Sequence, residues 1–214
     1  MTAGPGLFIV LEGPEGSGKT TQAALLEEWL VARGVRVLRV REPGGTEAGE
    51  QIRAILLHRG HLPARAEVLL MEAARAVLVE EKIRPALAAG VLVLADRFAL
   101  SSLAYQGAAR GVGTEAVRAL NDFATAGIVP NLTIVLQVTP EVGEARRAAR
   151  GGADRIESAG LDFHERVARA YELLAGIGSG IVLLDGSAPV PEVHERILGV
   201  LRERFPETFR AGQG

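Results

Sequence analysis

Residues Gly13-Pro14-Glu15-Gly16-Ser17-Gly18-Lys19-Thr20 spell G-x-x-x-x-G-K-[ST], the spacing of a P-loop. Glycines at these positions let the backbone turn tightly and aim its N–H groups inward, where a polyphosphate accepts hydrogen bonds at the positive end of a helix. Lys19 can then reach β- and γ-phosphates, and the Thr20 hydroxyl, followed by Thr21, can hold Mg²⁺. Arginines recur at glycine-rich or strand-end positions: Arg41, Arg75, Arg97, Arg110, Arg150 and Arg155. Transfer of a phosphoryl group between two nucleotides gathers negative charge that positioned cations must neutralise, so arginines facing a P-loop suit that reaction. No guanine-reading Asn-Lys-x-Asp is present.

The elements that position these groups follow from periodicity. Leu7 to Leu11 is a short apolar run suited to a strand buried on both faces, and Lys19 to Arg33 reads as an amphipathic helix that stops at Gly34. Val35 to Val40 alternates like a strand near a sheet edge, then enters Arg41-Glu42-Pro43-Gly44-Gly45-Thr46, a compact loop that allows a cis peptide before Pro43. A helix from Thr46 or Glu47 to about Gly60 follows. A second covers Ala66 to Ala89, with Leu69, Leu70, Ala73, Val77 and Leu78 inward and a kink or fresh start at Pro85. Val91 to Ala95 is a third strand with Asp96-Arg97 at its carboxyl end, where open parallel sheets bind ligands. Ser101 to Gly113 reads as a loop or broken helix; Thr114 caps a helix to Ala126, Leu132 to Val138 is a strand, and Pro140 opens a helix to Arg150. Gly151 to Arg155 breaks that helix with a charged segment. Asp162 to Leu174 is helical, Ile181 to Leu184 a fifth strand, and Pro191 to Phe205 a closing helix. Strands separated by helices demand parallel pairing and right-handed crossovers, so the expected class is α/β: a three-layer α/β/α P-loop NTPase fold with a five-stranded parallel sheet.

At 214 residues the chain suits one domain over residues 1–214. A net charge of −2 without a long basic stripe argues against a nucleic-acid partner. The absence of cysteine removes thiolate chemistry, and no apolar stretch reaches the ~18 residues of a membrane span. A soluble cytoplasmic protein is the expectation. His58 and His61 flank a turn without further ligands, the pattern of surface histidines rather than a metal site.

Four collinear motifs carry a family resemblance: Glu12-Gly13-x-Glu15-Gly16-x-Gly18-Lys19-Thr20-Thr21, Arg41-Glu42-Pro43-Gly44-Gly45-Thr46, Asp96-Arg97-Phe98 with Ser101 and Ala104-Tyr105-Gln106-Gly107, and Asp154-Arg155-Ile156-Glu157. From about Phe8 to the closing helix the chain resembles the bacterial thymidylate kinases. That resemblance implies transfer of the ATP γ-phosphoryl group to dTMP, giving dTDP and ADP, by a homodimer. A related kinase of altered base preference is the alternative.

The same resemblance assigns roles. Lys19 and the amides of Gly13 to Thr21 would hold ATP phosphates, while Thr20 and Asp96 would organise Mg²⁺ directly or through water. Glu15 would approach the dTMP 3′-hydroxyl, Arg41 and Arg97 the acceptor phosphate, and Arg75, Gln106 and Ser101 the thymine edge. Tyr105 would crowd the sugar 2′ position. Arg150 and Arg155 would act from a mobile lid around residues 150–160, and Arg146 would cover adenine near Asp185 to Ser187. The chain departs from the family pattern at Met71, where an aromatic residue usually stacks on thymine, and at Glu72 beside it; Gln137 and Glu144 are further departures.

Overall fold

A computed structural model describes residues 6–151, 154–178 and 180–209, with the side chain of Arg150 outside the described set. Its sheet comprises β1 (Phe8–Glu12), β2 (Val37–Arg41), β3 (Leu92–Asp96), β4 (Leu132–Gln137) and β5 (Ile181–Asp185). All pairings are parallel, in the order β2-β3-β1-β4-β5, so β2 lies at an edge as its alternation requires. The helices are α1 (Lys19–Val31), α2 (Glu47–His58), α3 (Ala64–Leu78), α4 (Arg84–Ala88), α5 (Ala99–Ser102), α6 (Thr114–Thr125), α7 (Pro140–Arg150), α8 (Leu161–Ile177), α9 (Val190–Arg204) and α10 (Pro206–Phe209). The expected three-layer α/β/α class is observed.

The central strands are apolar over most of their length because both faces are covered, with Glu12 ending β1 and Thr133 in β4 as buried polar members. Ile9 and Leu11 of β1 pack with Leu26 and Leu30 of α1 and Ile197 and Leu201 of α9. Phe8 and Val10, pointing the opposite way, pack with Leu78, Val79, Ile83 and Phe98. Strand side chains alternate between faces, so a predominantly apolar run is what a middle layer needs.

Several boundaries differ from expectation. The long helix of residues 66–89 is α3, a π-helical stretch Val79–Ile83, and α4 in succession, with Pro85 in the first turn of α4. Proline lacks an N–H, and the wider turn before it absorbs the lost hydrogen bond. The broken helix after β3 is α5 running into a second π-helical stretch, Leu103–Ala109. Gly113 rather than Thr114 occupies the N-cap of α6. The Glu42–Pro43 peptide is cis.

The largest difference is the rotation of α3. Leu69 and Ala73, expected inward, are exposed, whereas Glu67, Met71, Glu72 and Arg75 are buried. Apolar periodicity misplaces the face because the inward charges satisfy one another. Arg75 donates from Nε to both Glu42 oxygens at 3.1 and 2.9 Å and from Nη2 to Glu42 Oε2 at 2.6 Å. Its Nη1 donates to Glu72 Oε1 at 2.6 Å, Ser102 Oγ at 3.0 Å and Asn121 Oδ1 at 2.5 Å. One guanidinium thus joins α3 to the loop after β2, to α5 and to α6. With two carboxylates for one cation, burial pushes Glu42 up to about 7 against the pull of Arg75, and Glu72 and Glu12 add to the rise.

Replacing Arg75 by methionine strands that carboxylate pair. A broken buried ion pair costs about 3–5 kcal/mol, the loss expected in urea unfolding near pH 8. Glu42, already raised by burial, loses the opposing pull of Arg75 and stays above its unfolded value, a condition that adds stability at low pH and loses it as pH rises. The deficit of R75M is therefore expected to shrink toward pH 5.

Candidate active site

The loop between β1 and α1 turns through positive φ at Gly13, Gly16 and Gly18. Gly16 and Gly143 of α7 meet backbone to backbone, and a Cβ on either would collide with the other segment. Arg146 of α7 fastens this contact, donating to Gly16 O at 3.2 Å, Gly186 O at 2.9 Å and Ser187 O at 3.1 Å. Arg146 and residues 185–187, separately expected near a base, are therefore brought together beside the loop.

Lys19 folds back over the loop, donating to Gly13 O at 3.0 Å, Pro14 O at 2.7 Å and Ser17 Oγ at 3.2 Å. Burial and the neighbouring Arg97 charge hold its amine down to about 8, although Glu15, Asp96 and Glu12 oppose the shift. Thr20 Oγ1 donates to Asp96 Oδ2 at 2.6 Å, which sets a hydroxyl and a carboxylate side by side at the mouth of the loop. These hard oxygen donors suit Mg²⁺, which binds through one or two protein oxygens plus phosphates and water. No cluster of three His, Cys, Asp or Glu suited to a metal occurs among the described residues.

Arg97 follows Asp96 in a left-handed conformation, φ 74°, with its amide bonded to Leu11 O. Its Nη2 meets Glu15 Oε1 at 2.5 Å and Tyr105 Oη at 3.1 Å, and its Nη1 donates to Gly13 O and Ser101 Oγ at 3.1 Å and to Tyr171 Oη at 3.3 Å. Beneath it lies Glu12, wholly buried, accepting from Phe98 N, Ser101 N, Ser101 Oγ and Tyr171 Oη within 2.6–3.0 Å. Burial pushes Glu15 upward, but Arg97 and Lys19 more than compensate and its carboxyl settles at about 2. Burial likewise raises the Tyr105 phenol, which stays protonated and able to donate.

A cavity of about 480 Å³, within the range of small-molecule sites, runs from the phosphate loop to a region bounded by Arg41, Leu57, Met71, Tyr105 and Gln106. Glu15, Asp96, Arg97, Ser101 and Arg146 line it between these ends. Arg41 reaches the rim, held by Glu50 in a bidentate pair at 2.9 and 3.0 Å. Arg75 and Arg155, both expected at the site, lie apart from the lining: Arg75 is enclosed in its carboxylate cage, and Arg155 points away from the cavity, donating from Nε to Leu56 O at 2.8 Å. Arg150 closes α7, and its side chain lies outside the described residues.

Sequence reasoning missed Arg53, Arg147 and Tyr171. Arg53 lines the cavity and donates to Pro43 O at 2.8 Å. Its position seven residues after Thr46, two helical turns along the same face of α2, was the available signal. Tyr171 had none, since an apolar helix face conceals which hydroxyl reaches a buried acid.

A family model described as Thymidylate kinase matches residues 11–197. The thymidylate kinase of Thermoanaerobacter sp. (strain X514) is 45% identical over 200 residues, covering 92% of this chain and 98% of its own. That of Leifsonia xyli subsp. xyli is 48% identical over 195 residues, 90% of this chain and 93% of its own. That of Synechococcus sp. (strain JA-2-3B'a(2-13)) is 47% identical over 201 residues, 94% and 96% respectively. The motif order, the parallel sheet with its phosphate loop, and matches of this extent lead to one conclusion: the chain belongs to the thymidylate kinase family.

Proposed function

We propose that this chain transfers the γ-phosphoryl group of ATP to dTMP, forming dTDP and ADP on the way to dTTP. The supporting observation is the continuity of one cavity from the phosphate loop to the pocket at Met71 and Gln106, with Arg97 between the two ends. An in-line transfer needs donor and acceptor phosphates to meet at such a midpoint.

In this reading ATP lays its phosphates across the amides of Gly13 to Thr21, and Lys19 exchanges its loop carbonyls for phosphate oxygens. Arg146, already at Gly186 and Ser187, borders the adenine. The acceptor phosphate takes Arg97, with Arg41 and Arg53 at the rim. Glu15, ionised and paired to Arg97, is left to accept from the sugar 3′-hydroxyl, and Tyr105 closes the 2′ side. Met71 lies under the base, with Gln106 and Ser101 at its edge. Thr20 and Asp96 would hold Mg²⁺, which supplies charge neutralisation at the β- and γ-phosphates. The acceptor is itself an anionic nucleophile, so no covalent enzyme intermediate is invoked. Arg150, at the end of α7, remains the candidate for a cation supplied to the transferring group.

We also assign a homodimer joined through α2, α3 and α6. These helices pack against one another and expose Ile55, Leu69 and Phe123, an apolar set that a second copy would cover. Among the described residues no helix is long and apolar enough to cross a membrane. A cytoplasmic location accords with a role in dTTP synthesis.

Steady-state rates with ATP and a panel of nucleoside monophosphates test the assignment: dTMP should have the highest kcat/KM, and a preference for dCMP or AMP would overturn it. Because Lys19 is depressed to about 8 before phosphate arrives, ATP binding near pH 8 should take up about half a proton, approaching one at pH 9. Calorimetry in buffers of different ionisation enthalpy reads this directly, and zero uptake at both pH values would mean that the amine is already fully charged. Met71→Phe gives the base a flat aromatic neighbour and should tighten dTMP binding by about threefold; unchanged affinity would show that this side chain does not meet the base.

A further inference from the structure

Glu67 stands in the first turn of α3 and is 1% exposed. A carboxylate so buried costs several kcal/mol unless cations and donors surround it. Its partners come from two separate segments of the chain. Oε1 accepts from Gln106 Nε2 at 2.8 Å and, more distantly, from Arg110 Nε at 3.4 Å. Oε2 lies 2.8 Å from Arg155 Nη2, an ion pair by distance whose alignment falls short of a hydrogen bond.

Both partners border the cavity, in different ways. Gln106 lines it directly, and its amide oxygen is buried without a partner while its NH₂ is committed to Glu67. An orphaned buried acceptor costs about 1–3 kcal/mol, a penalty that a donor on a bound base would remove. Arg155 does not line the cavity, but its neighbours Asp154, Ile156 and Glu157 do. Its backbone N–H donates to Leu57 O at 3.1 Å and its Nε to Leu56 O at 2.8 Å, fastening residues 154–158 to the end of α2. The Nε and Nη2 of Arg155 are thus occupied on the side away from the cavity lining.

We propose that Glu67 is a positioning residue that couples recognition of the acceptor base at Gln106 to docking of residues 154–158 over the cavity through Arg155. The inference rests on the dTMP kinase reading. One rigid carboxylate fixes which way the Gln106 amide faces and, through its other oxygen, anchors the segment that covers the same pocket. Neutralising Glu67 frees the amide to flip and leaves Arg155 with backbone carbonyls alone. Recognition and docking then proceed independently.

The test compares wild type, Glu67→Gln, Arg155→Ala and the double variant by steady-state kinetics and by hydrogen exchange of residues 154–158 with and without dTMP. In wild type, dTMP should slow exchange of this segment. E67Q and R155A should each abolish that slowing and raise KM for dTMP about tenfold, with KM for ATP changed less than twofold. The double variant should be no worse than either single one, because both cut the same link. Full dTMP-dependent slowing in E67Q overturns the coupling. So does a loss in R155A of about 10³ in kcat at unchanged KM for dTMP, which would put Arg155 on the reacting group. Should E67Q fail to fold by thermal unfolding, R155A, whose side chain is 14% exposed, carries the same comparison alone. Wild-type protein that does not phosphorylate dTMP would overturn the kinase reading itself. Wild-type turnover with an undisturbed exchange response in the variants overturns only the coupling.

Discussion

The carboxylate of Glu12 is the interaction on which the rest of the site depends. It ends β1 at the centre of the sheet, wholly buried, and its oxygens draw in two backbone amides from the turn into α5, the Ser101 hydroxyl, and the Tyr171 hydroxyl from α8. Burying a carboxyl calls for such saturation with hydrogen-bond donors. Saturating it brings the segment after β3 against the end of β1 and fixes the left-handed turn at Arg97. Both hydroxyls lie within hydrogen-bond distance of Glu12 and of each other, and Arg97 Nη1 donates to each. The orientation of the site's central cation is thus set one layer below it.

The same device recurs toward the acceptor end. Glu42 and Glu72 enclose Arg75, and Glu67 collects Gln106, Arg110 and Arg155. These buried acids hold guanidinium groups behind the cavity wall and so tie together the segments that form it. This layer explains the face that α3 presents. A helix packed only by apolar residues would have turned Leu69 inward; one serving as scaffold for arginines turns Glu67, Glu72 and Arg75 inward and leaves Leu69 outside.

These two layers were unequally legible in the sequence. The phosphate loop was plain because its glycines and lysine fall within one short motif bounded by a strand and a helix, and the central strands were plain because a middle layer is predominantly apolar. Arg97 and Asp96 stood out at a strand end. The rotation of α3 was hidden, since periodicity counts apolar residues and a satisfied buried charge imitates a surface one. The spacing of Glu67, Met71 and Arg75, each four apart, did put them on one face, but nothing local says that the face is interior until Glu42, Asn121 and Gln106 arrive from distant segments. The π-helical stretch over Leu103–Ala109 was equally hidden, as it places Tyr105 and Gln106 toward the cavity by a widened turn that no residue type announces.

Without substrate, the principal cations of the site are held in different ways. Arg97 sits against an ionised carboxylate, Glu15, so in the proposed reading an acceptor phosphate would exchange one anion for another there, and the electrostatic gain would be a difference between two large contributions. Lys19 is bonded to two carbonyls and a hydroxyl, all neutral, and burial has already drawn its pKa down to about 8. A phosphate arriving there replaces dipoles with a full negative charge in a poorly solvated loop, where Coulomb attraction is stronger than in water. Net phosphate affinity should therefore come chiefly from Lys19 and the loop amides. In the proposed reading Arg97, held in place by its carboxylate partner, would contribute mainly by being aimed before the acceptor enters, since an arginine that needs no reorientation spends little of the binding energy on ordering.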